Sequence, residues 1–325
     1  EGWGKLRTSP ATTKDGTRII LRANIGLLSD IDVAKRNGAE GVGLYRTEFP
    51  YMARSSFPDR QDQYQLYKKV IEVNDGQSVT IRTLDIGGDK VLPYFPHPKE
   101  DNPFMGWRSM RFCLDHQDIC MTQIEAVLMA GIHGPVRLLF PMITNLEEIR
   151  ACQKLVVEAK NKLQGEGIDF ADDIPLGAMI EVPAAIRLAP HLANEVDFFS
   201  LGTNDLIQYM LAADRSNSLV ENYYDPLHPA VLQSLDSLAK VAREKETDLC
   251  LCGEMATDPA NLLILIGLGI HQFSLSAPFI PKLKEFLNKI SLSVACDTVQ
   301  RVLQQPDSGK IKEILNDVFN ELDLN

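Results

Sequence analysis

The feature that most constrains this sequence is a rhythm: short β-rich runs bounded by turn residues, with segments of helical period between them. Eight runs read "RIILRANIG" (Arg18–Gly26), "GVGLYRTEF" (Gly41–Phe49), "SVTIRTLD" (Ser78–Asp85), "PVRLLFPMI" (Pro135–Ile143), "PLGAMIEV" (Pro175–Val182), "VDFFSLGTN" (Val196–Asn204), "DLCLCGEM" (Asp248–Met255) and "QFSLSA" (Gln272–Ala277). Between them fall helical candidates such as "DQYQLYKKVIEVN", "NLEEIRACQKLVVEAKNKL", "PAAIRLAPHL", "AVLQSLDSLAKVAREKE" and "PKLKEFLNKI". Eight strands alternating with helices predict an α/β fold, a closed eight-stranded parallel β/α (TIM) barrel, in preference to an open sheet. The longest interruption, 86–134, is expected to hold an elaborated loop plus one helix. Residues 1–17 read as a lead, 18–290 as the barrel and 291–325 as a helical tail.

A chain of 325 residues could form two domains, but a barrel of this length is ordinary as one. The net charge of −11, from 33 basic and 44 acidic residues, argues against a nucleic-acid surface, which needs basic patches. No apolar run approaches the length of a membrane span, and "EGWGKLRTSP" lacks the apolar centre of a signal peptide. The six cysteines are too sparse for a disulfide-built scaffold and suit a reducing, cytoplasmic setting.

A barrel gathers its chemistry where strands end, because those ends share one face. Here they carry Asn24, Arg46, Glu48, Arg82, Asp85, Glu181, Asn204, Asp205, Cys252 and Glu254. Arg46 and Arg82 stand late in apolar strands, where an unpaired cation is costly, so an anion should meet them. Lys90 and Arg108 in the long loop add cations, and such a set suits a phosphate. The plainer alternative is that Arg46 pairs with Glu48 or Asp85 as scaffolding. Glu181 and Asp205, on successive strand ends, form a carboxylate pair of the kind that holds magnesium together with substrate oxygens and water. Here too there are plainer alternatives: Glu181 as a helix cap near Pro183, or Asp205 paired with Arg215. In "DLCLC" strand parity puts Cys250 and Cys252 on one face, with Cys252 nearer the active end; a bond between them would need unfavourable strand geometry.

Taken together, "GLYRTEF", "RTLDIGGDK", "NPFMGWRSMR", "IEVPAA", "FFSLGTNDLIQYMLAADRSN" and "LCGEMA" resemble the phosphoenolpyruvate-binding C-terminal domain of the Enzyme I family, the phosphoenolpyruvate–protein phosphotransferases. "PHPKEDNPFMGWR" and "LCGEMATDP" are most similar to the nitrogen-type branch. The resemblance implies phosphoenolpyruvate and pyruvate as ligands, with Arg46, Arg82, Lys90 and Arg108 around the phosphate. Arg215 and the Asn204 region would hold the carboxylate, Glu181 and Asp205 would ligate Mg2+, and Cys252 would be the acid and base at the methylene carbon. It also implies a homodimer, and a histidine on an N-terminal domain that passes phosphate to a carrier protein. No "GGxxSH"-like motif occurs in these 325 residues, so they are expected to bind phosphoenolpyruvate without phosphorylating a carrier unaided. Departures from the family wording are Ile207, Thr257 and the "ADR" around Arg215; none removes a proposed ligand. Two alternatives share the motifs: the C-terminal domain of a pyruvate phosphate dikinase or phosphoenolpyruvate synthase, and a non-catalytic sensor that keeps the pocket.

Overall fold

The computed structural model describes residues 4–324. Nine strands form: β1 (Ala11–Thr12), β2 (Arg18–Ile25), β3 (Val42–Arg46), β4 (Val79–Arg82), β5 (Val136–Phe140), β6 (Leu176–Ile180), β7 (Phe198–Gly202), β8 (Asp248–Cys252) and β9 (Gln272–Leu275). Strands β2 to β9 are parallel neighbours in chain order, and β9 pairs back onto β2, which closes the barrel. The expected eight-stranded parallel barrel is therefore the observed fold. A short strand not expected from the sequence, β1, runs antiparallel to β2.

Helices wrap the outside: α1 (Gly4–Thr8), α2 (Ser29–Arg36), α3 (Glu48–Met52), α4 (Arg60–Val73), α5 (Met110–Asp115), α6 (Gln117–Ala130) and α7 (Leu146–Gly165) in the first half. Then come α8 (Pro183–Leu192), α9 (Thr203–Leu211), α10 (Pro229–Glu244), α11 (Pro259–Gly267), α12 (Ile280–Leu287), α13 (Leu292–Val302) and α14 (Ser308–Glu321). Their starts are encoded locally. The side chain of Asn145 caps α7 in a reciprocal box with Glu148, and Asp59 caps α4 by accepting the Asp62 N–H at 2.7 Å. None of these helices, among the described residues, is long and apolar enough to cross a membrane.

Strand parity sorts the side chains into two cores. On β2, Ile19, Leu21, Ala23 and Ile25 are buried against the helices, while Ile20, Arg22 and Asn24 alternate with them. Inside the barrel Leu44, Leu139, Met179, Phe198, Cys250 and Cys252 form a separate cluster. The N-terminal end of the barrel is plugged by polar groups: Arg137 lies 3.6 Å over the Phe198 ring and reaches Asp248 at 2.8 Å, and Arg22 reaches Gln272 at 2.8 Å. Functional chemistry is thereby confined to the opposite mouth, where the strands point their C-terminal ends.

Several sequence expectations need correction. The strand runs end one to three residues too late: β3 stops at Arg46, and Glu48 lies in the first turn of α3; β7 stops at Gly202, and Asn204 and Asp205 lie in α9. Apolar neighbours keep the β signal alive past the point where the chain turns out of the barrel. The interruption at 86–134 holds two helices, α5 and α6, instead of one. Cys113 and Cys120 form a disulfide between these helices, a pair the sequence reading did not single out; Cys152, Cys250, Cys252 and Cys296 are free. Proximity across the α5–α6 corner, invisible in a count of cysteines, brings that pair together.

Candidate active site

At the C-terminal mouth, the loop after β4 folds back over the arginine side and packs its own small core of Leu84, Ile86 and Leu92 on Tyr51 and Phe112. Gly87 makes this possible: its φ is 101°, and a Cβ there would sit 2.8 Å from the Arg108 Cα. Arg108 is thereby carried over the mouth from a position far along the chain.

Arg82, the last residue of β4, is buried and paired twice, with its Nη2 at 2.7 Å from Glu48 Oε1 and 3.1 Å from Asp85 Oδ2. Lys90 Nζ meets the same two carboxylates at 2.6 and 3.4 Å. Arg108 Nη2 lies 3.1 Å from both Asp85 Oδ1 and Asp205 Oδ2, and its Nη1 donates to the Tyr209 hydroxyl at 3.0 Å. Arg215 approaches Asp205 Oδ1 at 3.7 Å. These contacts interlock cations and carboxylates into one network with little freedom to move.

Arg46 differs. Among the described residues it makes no ion pair or hydrogen bond, although β3 ends on it and it lines the same cavity. Burial, followed by the nearby Arg82, lowers its pKa. The sequence alternative that paired Arg46 with Glu48 or Asp85 is not what forms, because Arg82 and Lys90 occupy those carboxylates.

The carboxylates carry opposite pressures. For Asp85, burial alone would raise the pKa, but Arg82, Lys90, Arg108 and the Ser109 hydroxyl outweigh it and hold the group well below the usual range. Glu181, 2% exposed, is pushed up to about 8 by burial and then by Asp205 and Asp85. Its Oε1 accepts the Met142 N–H at 2.7 Å; Val182, not Glu181, stands at the N-cap of α8, so the capping alternative falls. Asp205 Oδ1 is buried without a hydrogen-bond partner.

Cys252, at the end of β8 and 3% exposed, accepts a hydrogen bond from the Ser200 hydroxyl at 3.0 Å and faces the Gly43 carbonyl at 3.7 Å. Cys250 lowers its pKa most, burial opposes, and Ser200, Arg22 and Arg46 contribute, leaving the thiol at about 7. Cys250 is held well above its usual range by Cys252 and by burial. Both face the barrel interior, as parity required, while Leu251 packs outward with the helices.

All nine residues put forward from the sequence, Arg46, Arg82, Lys90, Arg108, Glu181, Asn204, Asp205, Arg215 and Cys252, line one cavity of about 340 Å³. Sequence reasoning underrated Glu48 and Asp85, the carboxylates that fix the cations, and passed over Ser109 and Tyr209. The signal for Glu48 was present, since an acid two residues after Arg46 in an apolar run must be paired if buried; it is 0% exposed. Tyr209 had no such signal, because the contact that matters comes from a loop about 100 residues earlier.

A cation held by two carboxylates, substrate oxygens and water fits this donor set, with Asp205 Oδ1, buried without a hydrogen bond and met by Arg215 only at 3.7 Å, as the clearest indication. Among the described residues no cluster of three or more His, Cys, Asp or Glu side chains could hold a metal by itself.

Known proteins place the chain. In fold it is similar to a citrate lyase from Burkholderia xenovorans LB400, with a TM-score of 0.52 at 12% identity over 97% of this chain and 93% of that one. A second solved structure, an HpcH/HpaI aldolase/citrate lyase family protein from Burkholderia cenocepacia J2315, has a TM-score of 0.50 at 12% identity, covering 84% of this chain and 93% of that one. Among curated sequences, the phosphoenolpyruvate-protein phosphotransferase of Buchnera aphidicola (subspecies Acyrthosiphon pisum) is 45% identical over 97% of this chain and 55% of its own length. Those of Haemophilus influenzae and Geobacillus stearothermophilus are 42% and 43% identical, over 99% and 98% of this chain and 56% and 55% of theirs. The chain thus spans little more than half the length of these relatives. The family model for the phosphoenolpyruvate-binding domain of PEP-utilising enzymes matches residues 1–292, and the chain belongs to that family.

Proposed function

We propose that this cavity binds phosphoenolpyruvate with Mg2+ and serves as the phosphoryl-donor half of a phosphoenolpyruvate–protein phosphotransferase. The observation that carries the reading is the meeting, in one cavity, of an arginine without an ion pair, a buried carboxylate pair and the buried thiol of Cys252. Arg46, Arg82, Lys90 and Arg108 surround the phosphoryl group, and Arg215 with Asn204 orients the carboxylate. Glu181 and Asp205 hold magnesium, which when bound supplies Lewis-acid stabilisation of negative charge on oxygen.

The chain's own groups then divide the reaction. The phosphoryl P–O bond breaks as a P–N bond forms to a histidine on a phosphohistidine domain, and the electrons of the broken bond remain on the enolate of pyruvate. The fixed cations stabilise the spreading charge without reorganising, because Glu48 and Asp85 already hold them in place. Cys252 gives its S–H proton to the methylene carbon, which yields pyruvate and a thiolate that Ser200 stabilises by donating its hydroxyl hydrogen. A thiol near pH 7 is matched to both proton donation and recovery.

Within this reading the chain works with an N-terminal phosphohistidine domain and a histidine-containing carrier, in the cytoplasm, as a homodimer of the nitrogen-type branch. Residues 18–290 form the binding unit and 291–325 the tail. Two measurements test the function: magnesium-dependent phosphoenolpyruvate binding by calorimetry, and phosphate transfer after an N-terminal domain is added in trans. Binding with no transfer in the reconstituted mixture would favour a sensor.

A further inference from the structure

Several donors at this mouth are left over once the pairing network is complete: Arg46, the Nε atoms of Arg82 and Arg108, and one that belongs to a residue with no role in the proposed reaction. That last residue is Asn24. This residue stands near the C-terminal end of β2, between β9 and β3 in the ring, on the inward-facing alternation of its strand. Its Oδ1 accepts the Ser274 hydroxyl at 2.6 Å, which pins the amide plane. The other end, Nδ2, is buried and has no hydrogen-bond partner among the described residues. A buried donor of this kind is uncommon and calls for an acceptor.

Among the described residues no acceptor bonds it. Asp30, on the same wall, already accepts the Gly26 and Leu27 amides at 2.9 and 2.8 Å. Glu254 is exposed and makes no bond to Asn24. Asn24 and Arg46 line a hollow of about 270 Å³ that shares Arg46, Phe49 and Glu254 with the catalytic cavity, so the two spaces adjoin at Arg46. Around the ring, Asn24, Arg46 and Arg82 come from β2, β3 and β4 in sequence, whereas Glu181 and Asp205 follow β6 and β7 on the other side.

We propose that Asn24 is a further substrate-binding residue, whose side-chain amide donates to a phosphoryl oxygen of the ligand held by Arg46. The assignment rests on the phosphoenolpyruvate reading above and extends it to a strand that reading left unused. Position decides which part of the ligand is met: the carboxylate end lies with Arg215 and Asn204, and the phosphoryl end lies with the arginines that Asn24 flanks. The Ser274 bond makes Asn24 selective, because it presents a donor and withholds the acceptor, and so favours a fully ionised oxygen.

The test uses the full chain with Mg2+, and calorimetric titration with phosphoenolpyruvate and, separately, with oxalate, a planar dianion that mimics the enolate of pyruvate but has no phosphoryl group. Asn24→Ala is expected to weaken phosphoenolpyruvate about tenfold or more. Asn24→Asp should weaken it further, since a second carboxylate oxygen would replace the donor while Ser274 keeps its acceptor. Both variants should bind oxalate as the wild type does, and that retained binding also reports correct folding. Wild-type phosphoenolpyruvate affinity in Asn24→Asp would overturn the proposal, as would a parallel loss of oxalate binding in both variants. A wild-type chain that binds neither ligand would refute the underlying reading, and this inference with it; a wild type that binds both, with Asn24→Asp unaffected, refutes the inference alone.

Discussion

The contrast between Arg46 and Arg82 supplies the sharpest test of how this site is built. Both end neighbouring strands and both would touch the phosphoryl group, yet one is unpaired and the other is bonded to Glu48 and Asp85. Replacing Arg82 with Met leaves two buried carboxylates short of a partner, and breaking such a pair costs about 3–5 kcal/mol. The lower end applies, because Lys90 still reaches both carboxylates and Arg108 still reaches Asp85. For a chain of 325 residues the unfolding entropy is roughly 0.7 kcal/mol/K, so a loss of about 3 kcal/mol lowers Tm by about 4 °C. Arg46→Met removes a partly desolvated charge that no close ion pair offsets, and should leave Tm unchanged or raise it by up to about 2 °C. Phosphoenolpyruvate affinity should fall in both variants, by about tenfold or more. Differential scanning calorimetry and binding titration on the same samples check the pair. An Arg46→Met protein as destabilised as Arg82→Met would refute the claim that Arg46 is free of structural duty, and wild-type affinity in it would refute the anion site.

Other expectations follow from the same contacts. Cys252→Ala should bind phosphoenolpyruvate as the wild type does yet lose proton exchange at the pyruvate methyl group, read by deuterium incorporation; undiminished exchange would end the acid role. In the wild type, enolate protonation should decline above about pH 7, where the thiol loses its proton. Glu181 has its pKa raised to about 8 in the folded chain, so between about pH 5 and 8 the native state keeps a proton that the unfolded state has lost. Stability without magnesium should therefore fall as pH rises through that window, with a slope approaching 1.4 kcal/mol per pH unit, about what Glu181→Gln should abolish. Equal slopes in urea titrations of the two proteins would contradict this. Asn145→Ala should cost about 1 kcal/mol in urea denaturation by removing the cap of α7, and a change near zero would show the box to be ornamental.

The barrel was legible because its signals are local. Alternation on β2 tells helix-facing Ile19 and Leu21 from inward-facing Arg22 and Asn24, and the same parity put Cys250 and Cys252 on one side of β8. Strand ends were not legible, because composition does not record where a chain leaves the sheet. Thr47 shows why: its hydroxyl donates to the Arg82 carbonyl at 2.8 Å, a contact between residues 35 positions apart that ties the turn after β3 to the neighbouring strand. Gln123, from α6, then donates to the same hydroxyl at 3.0 Å and accepts the Leu84 N–H at 2.8 Å. Such a joint has no motif of its own.

This bears on the choice the sequence left open for its arginines, scaffold or anion ligand. The structure removes the opposition for Arg82. Its Nη2 is taken by Glu48 and Asp85, while Nε is buried without a hydrogen-bond partner, and the whole guanidinium borders the cavity. An arginine has five N–H donors, and spending some on fixed carboxylates is what makes the remainder rigid enough to meet a phosphoryl group without reorganising. Arg46 lacks that bracing, so its alignment must come from the ligand and from neighbours such as Asn24 on the adjoining strand. Positional rigidity should therefore dip at Arg46, between the braced Arg82 of β4 and the Ser274-pinned Asn24 of β2, and the ligand oxygen nearest β2 should be the one most sensitive to substitution outside the charged network.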